Sequence, residues 1–528
     1  MPRQVSVRKK EMMLTENIHT LVPKMAVPTI VAQLITTVYN LVDAYFVSTL
    51  GTNATAAVGV NSSLERTITL IGSLIGAGAC SYIARLLGSK RDEDANRVLS
   101  TSLFTALGLG VIFMVIGRLC IHPMVYLLGA DENCAVYSMQ YATYVLYAAP
   151  FMVGSFILNM CLRSEGSAMF SMIGIGFGGV LNCFLDPLFI YGGEYGSGIF
   201  GIQGLGLGVA GASMATAISK AISFFILCYP YVRRRSSVII SLRKFKLVWE
   251  DVKEVLAIGS TSFFRSAFSV VANVTINRVA RGYSTAALAA LSVANRVLEF
   301  PFAIILGFGQ GYQPIAGFNW GAKQTKRVRD SLKFVIKVSI IGAIGIGALL
   351  ILLASPIVGI FNKQADGEVL RLGVLCIRLQ CIMLFSHALN SIINMFYAGI
   401  GKAKYALAMS TARQGYVFIP VAIIAPLFLK EAGVASAQAI ADVICLFIAI
   451  PLTFKAFKMI DAEERTLESE TPAADELKEQ LPAEEDAPAS QPEESIPAED
   501  NIPADQRPEE TVPAGTAREG ENAVDEVR

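Results

Sequence analysis

The chain has 528 residues, 53% of them hydrophobic, only 16% charged, and a formal net charge of +1. Soluble domains carry about 25% charged residues, and a mean hydropathy of +0.51 excludes an ordinary water-soluble enzyme. The small net charge conceals two opposed parts: Asp461–Arg528 holds 22 acidic and 5 basic residues, leaving 21 acidic and 39 basic over 1–460.

A hydrocarbon core of ~30 Å takes about 20 apolar residues per helix. Runs of that kind lie near 25–50, 54–84, 98–120, 136–160, 168–191 and 205–231. A second set lies near 253–280, 286–316, 331–355, 371–397, 404–428 and 433–457. The reading is an all-α membrane protein with twelve transmembrane helices in two six-helix bundles. Residues 1–24 form an N-terminal segment, 25–250 and 251–460 the two lobes, and 461–528 a tail. That tail repeats Pro-Ala-acidic phrases such as LPAEED and IPAED, too poor in large apolar side chains to offset chain ordering, and reads as disordered.

Lys and Arg mark the cytoplasmic side. They gather at Arg3 to Lys24, at Arg85, Lys90, Arg91 and Arg97, at Arg233 to Lys246, and at Lys323 to Arg329. Alternate loops at 51–54 and 191–204 have none, so both termini are expected in the cytoplasm. The first apolar run is too long for a signal peptide. The two sets of runs are also related: Gly76-Ala-Gly78 with Gly88-Ser-Lys90 matches Gly309-Gln-Gly311 with Gly321-Ala-Lys323. Leu158-Asn159-Met160 with Gly166 matches Ile393-Asn394-Met395 with Gly401. Duplicated halves with an even number of helices share one orientation, related by a pseudo-two-fold along the membrane normal.

Charge at bilayer depth marks functional candidates. Asp43 lies late in the first run and Asp186 in the fifth, with Asn182 four residues before it on the same helix face. Pro28 and Pro187 interrupt the backbone hydrogen bonding of the same two runs and serve as hinges. Two desolvated carboxylates near one another share a proton or hold a cation, which suits ion-coupled transport. The competing reading is that each acid only locks polar helix neighbours. In the second half Arg265, Arg378, Arg413 and Asp442 are expected to be ion-paired among themselves. The glycine cluster at 174–179 reads as close helix packing. No GxxxxGK[ST] motif, HExxH or CxxC occurs, so neither an ATP-binding loop nor a zinc site is indicated. The nine cysteines read as buried thiols. No cofactor, nucleic acid or enzyme activity is expected.

The segments YNLVDAYFVSTLG, ILNMCLRSEG, NCFLDPLFIYG, GVAGASMATAIS and GFGQGYQPIAGFNWGAK together resemble the multidrug and toxic compound extrusion (MATE) family, in its bacterial MepA-like and DinF-like branches. The resemblance covers about 20–460. It implies an H⁺ or Na⁺ site formed by Asp43, Asn182, Asp186 and Thr216, and a substrate cavity bordered by Tyr141 and Asn159. Where some members carry a Glu in the seventh helix, this chain has GSTSFFRSAF with Arg265. The resemblance further implies a monomeric antiporter in the bacterial inner membrane, exchanging amphipathic or cationic drugs for the ion, with membrane lipids as its surroundings. In the second half Arg265, Asn394, Arg413 and Asp442 replace the ion-site set. Two alternatives are a flippase for a lipid-linked sugar and a non-transporting membrane scaffold acting through its tail.

Overall fold

The computed structural model describes residues 2–193, 201, 204–361 and 367–480. The chain divides into two units, Met1–Glu468 and Ser469–Arg528. Regular structure among the described residues is entirely helical, as apolar runs without water to satisfy the backbone require. An N-terminal helix α1 (Pro2–Thr15) leads to α2 (Ile18–Ser48), whose first turn is capped by the Asn17 side chain accepting from the His19 N–H. Then follow α3 (Thr52–Gly88), α4 (Asp92–Leu119), the short α5 (Ile121–Leu127), α6 (Ala135–Ser164), α7 (Ala168–Ile190) and α8 (Gly208–Val232). The second half comprises α9 (Trp249–Tyr283), α10 (Thr285–Gly321), α11 (Thr325–Phe361), α12 (Gly367–Ile382), α13 (Leu384–Gly399), α14 (Ala403–Ala412) and α15 (Phe418–Gln480).

All twelve apolar runs fall on helix, but uninterrupted spanning helices are fewer than twelve. Among the described residues ten helices are long and apolar enough to cross, and an eleventh arises if α12 and α13, bent by 48°, count as one. The run at 404–428 is split, because the chain leaves the helix after Ala412 and re-enters it at Phe418. The helix α15 itself turns at Lys430, whose φ of 50° is non-helical. Runs of apolar residues measure length; breaks are set by local backbone and by what packs beside it.

Glycines bring the helices into unusually close crossings. A Cβ built on Gly78 would stand 1.9 Å from the Val255 carbonyl oxygen, and one on Gly259 only 1.6 Å from that of Leu74, so α3 and α9 touch backbone to backbone. The second crossing joins α10 to α2, where Gly307 and Gly311 would meet the Ile30 and Ala26 Cα atoms at 2.7 and 2.5 Å. A third is reciprocal: a Cβ on Gly88 would meet the Phe318 carbonyl oxygen at 2.0 Å and one on Gly321 that of Arg85 at 2.1 Å. Positions 85 and 318, like 88 and 321, differ by the spacing found in the sequence repeat. Small residues at such crossings let backbones approach where lipid offers no hydrophobic drive.

The same end of the molecule, the one bearing the basic loops, is tied by polar contacts. Arg85 pairs with Glu254 at 2.9 Å, while Asp251 accepts from Arg97 at 2.7 Å and from Tyr82 at 3.2 Å. Ser81 donates to the Ala398 carbonyl. Nearby, the buried Glu165 accepts from Ser236 at 2.6 Å and from the Ser237 N–H, pinning the turn after α6 to the linker after α8. Burial raises the Glu165 carboxyl above its ordinary value, an effect opposed by Lys9.

The C-terminal helix departs from the sequence expectation. Residues 461–480, read as the start of a disordered tail, continue α15. Arg329 holds both Asp461 and Glu464 there, so acidic residues that look merely solvated are drawn to a basic loop. The remainder of the expected tail, 481–528, lies outside the described residues.

Candidate functional site

The polar cluster of the first half is built by α2, α7 and α8. Asn182 and Asp186 sit one turn apart on α7, and the Asn182 Nδ2 donates to Asp186 Oδ1 at 3.0 Å and to Thr216 Oγ1 of α8 at 3.3 Å. Asp186 is fully enclosed, and Asn182 and Thr216 are buried. Asp43, late on α2, brings its carboxyl within hydrogen-bonding reach of Asp186. All four residues singled out in the sequence therefore meet. Pro187 follows Asp186 within α7, and Pro28 is buried in α2.

The cluster is left short of donors. Asp43 Oδ1, Asp186 Oδ2 and Asn182 Oδ1 are buried without a hydrogen-bond partner. Carboxylates only accept, and an unpaired buried acceptor forfeits the free energy of its lost hydration. Three such oxygens together have the chemistry of a site for a proton or a small cation.

A second layer escaped the sequence reading. Glu65 of α3 accepts from the Tyr141 hydroxyl at 3.1 Å. Lys220 of α8 donates to the Tyr39 hydroxyl at 2.6 Å, and its charge bears on both Glu65 and Asp43. Two acids, Glu65 and Asp43, thus face one lysine. Glu65 and Lys220 carried the same signal as Asp43, a charge inside an apolar run, and were legible on that ground. Tyr141 is enclosed and occupied by Glu65. Asn159 accepts from Ser171 and so ties α6 to α7.

The second half holds a different arrangement. Arg413, at the break between α14 and α15, pairs with Asp442 at 2.8 Å, and Gln438 also donates to Asp442 at 3.2 Å. Arg413 lies over the Phe302 ring, 4.7 Å from its centroid, and that ring meets His387 edge-on at 5.0 Å. The expected pairing thus holds for Arg413 and Asp442 only. Among the described residues Arg265 and Arg378 have no ion-pair partner, because three arginines share one acid and the helix break aims Arg413 at it. Asn394 is buried, with its Oδ1 unpartnered.

The MatE sequence profile matches residues 28–188 and again 262–424, more than half of the chain. The chain belongs to the MatE family. The double match follows the duplicated halves: the first MatE segment contains Asp43, Asn182 and Asp186, and the second contains Arg265, Asn394 and Arg413. Thr216 and Asp442 lie beyond the matched segments. Among relatives, the multidrug export protein MepA of Staphylococcus saprophyticus is 26% identical over 435 residues, 81% of this chain and 92% of its own length. The protein of that name from Staphylococcus haemolyticus is 26% identical over 444 residues, 84% and 94% of the two chains. A solved MATE family multidrug resistance transporter of the MOP superfamily, in an outward-facing conformation, superposes with a TM-score of 0.79. It is 24% identical, covering 86% of this chain and 98% of its own, a likeness of fold.

Proposed function

We propose that this MatE protein is a secondary active multidrug antiporter that expels amphipathic, often cationic compounds in exchange for H⁺ or Na⁺. The observation that carries the reading is the meeting of Asp43 and Asp186 beside Asn182 and Thr216, with three buried oxygens unpartnered. The multidrug export proteins among its relatives point the same way. We place it in the bacterial plasma membrane as a monomer, with both termini on the cytoplasmic side where the basic loops gather.

In this mechanism an arriving cation or proton neutralises the Asp43/Asp186 pair and removes their repulsion. The ion must bind one conformation more tightly than the other, since equal affinity would couple nothing. The helix α2 supplies the link. Asp43 is on one side of Pro28, and Ala26 and Ile30, which flank that proline, press on Gly311 and Gly307 of α10. Proline lacks the N–H that would stiffen α2 at this point, so a change at Asp43 alters the angle at which α2 meets the opposite half. Tyr141 and Lys220 hold Glu65 and Tyr39 around the pair and set how much negative charge the incoming ion meets.

The test is dye efflux from proteoliposomes driven by a pH gradient alone and by a Na⁺ gradient alone, with wild type, Asp43→Asn and Asp186→Asn. One gradient should drive wild-type export, and both variants should lose it. Undiminished gradient-driven efflux in both variants would overturn the mechanism.

A further inference from the structure

The N-terminal helix α1 touches both halves of the molecule at the basic-loop end. On the first half, Lys10 pairs with Asp92 of α4 at 2.6 Å, and Lys9 donates to the Arg235 carbonyl after α8 at 2.8 Å. Met12 and Met13 lie over Gly166, where an added Cβ would meet them at 3.1 and 3.4 Å. On the second half, Asn319 of α10 donates to the Met13 carbonyl at 3.3 Å. Arg327 of α11 donates to the Met13 carbonyl at 3.5 Å and to that of Glu16. The His19 ring, in the first turn of α2, meets Phe334 of α11 edge-on at 4.5 Å.

Helix-end chemistry accounts for these contacts. The last carbonyls of a helix have no donor within it, and a cation at that end also complements the helix dipole. The helix α1 ends at Thr15, and Asn17 already caps α2, so the donors come from elsewhere, and the second half supplies them. The two attachments are unequal. Only Glu16 and Asn17 separate α1 from α2, the helix that carries Asp43 into the first-half cluster, so the chain itself reinforces the first-half side. The second-half side can let go without stranding a donor. The Asn319 Nδ2 also donates to the Ile315 carbonyl at 2.8 Å and keeps that partner. Arg327 is half-buried and its Nε has no acceptor, a cost that water removes on release.

We propose that α1 is a clasp across the cytoplasmic side, which stays with the first half and is released by Asn319 and Arg327 whenever the halves part there. The inference rests on the efflux reading above, which requires that parting, and adds a device that sets how often the cavity opens to the cytoplasm. Because α1 runs almost directly into α2, a shift of α2 at the Asp43/Asp186 pair reaches the clasp along the chain.

Pairs of spin labels, at 8 with 326 and at 8 with 91, read the two attachments by pulsed dipolar spectroscopy of full-length protein in proteoliposomes; all three positions are exposed. In wild type exporting ethidium down a gradient, the 8–326 pair should show a short and a long component, and the 8–91 pair one. Arg327→Gln should raise the long-to-short ratio by about tenfold to a hundredfold, the range of one hydrogen bond from a charged donor. Arg327→Lys should reverse part of that rise. Glu16→Gln should match wild type, because it gives up the Lys24 pair and keeps the carbonyl. A single short 8–326 distance in wild type and Arg327→Gln alike would overturn the proposal, since α1 would then bridge the halves throughout. So would an 8–91 distance that lengthens together with 8–326, which means that α1 only frays. Gradient-driven ethidium efflux by unlabelled wild type tests the antiporter reading separately. Intact efflux with an unchanging 8–326 distance rejects the clasp and not the transporter.

Discussion

The crossing of α3 and α9 makes a quantitative demand on Gly259. A Cβ there would meet the Leu74 carbonyl oxygen at 1.6 Å, and ordinary contact begins at 3.4 Å, so Gly259→Ala must part the two helices by about 1.8 Å. That movement stretches Gly78 against Val255 as well as the 2.9 Å Arg85–Glu254 and 3.2 Å Tyr82–Asp251 contacts. Overpacking of this kind costs about 1–3 kcal/mol. At about 1.4 kcal/mol per tenfold, the closed crossing loses population against a separated one by about 5- to 150-fold. Spin labels at 91 and 250, both exposed at the basic-loop end, read the separation by pulsed dipolar spectroscopy in proteoliposomes. The variant should gain a longer-distance component and transport more slowly. Gly345→Ala is the control, because a Cβ there meets nothing within 4 Å. An unchanged distance distribution and an efflux rate matching the control would refute the close crossing.

Other expectations follow from particular contacts. Asp442→Asn leaves Arg413 buried beside a neutral amide and should destabilise the detergent-solubilised protein by about 3–5 kcal/mol; Arg413→Met with Asp442→Leu should recover most of the loss in a thermal melt. Glu165 has a raised carboxyl, so the folded state holds its proton more tightly than the unfolded chain does. Its contribution is complete below the ordinary 4.5 and is lost as pH rises through the raised value. Melting temperature against pH should fall less steeply for Glu165→Gln than for wild type across that window. Truncation after 480 should leave dye efflux intact. Truncation after 460 removes Asp461 and Glu464 from Arg329 and should lower stability by about 1 kcal/mol, read as a drop in melting temperature that the longer chain does not show.

The apolar runs, the basic loops and the duplicated glycine phrases depend on composition and spacing, so the chain alone determined a membrane-spanning, duplicated helical protein. The same is true of the Asn182–Asp186 pairing, because four residues along a helix return a side chain to the same face. Asp43 and Asp186 were each visible as charges placed at a cost in an apolar setting. That they meet was decided by the packing of α2 on α7 across more than a hundred residues of chain. Glu65 and Lys220 show the limit from the other side: the cost of burying a charge is written in the sequence, whereas the partner that offsets it is chosen by the fold. Arg265 is the sharpest case. Its place inside an apolar run is legible in the sequence, which predicts an ion pair within the second half. Only the tertiary structure decided that the break after α14 gives Asp442 to Arg413 and leaves Arg265 with no ion-pair partner among the described residues, because pairing depends on distance in space and not on charge count.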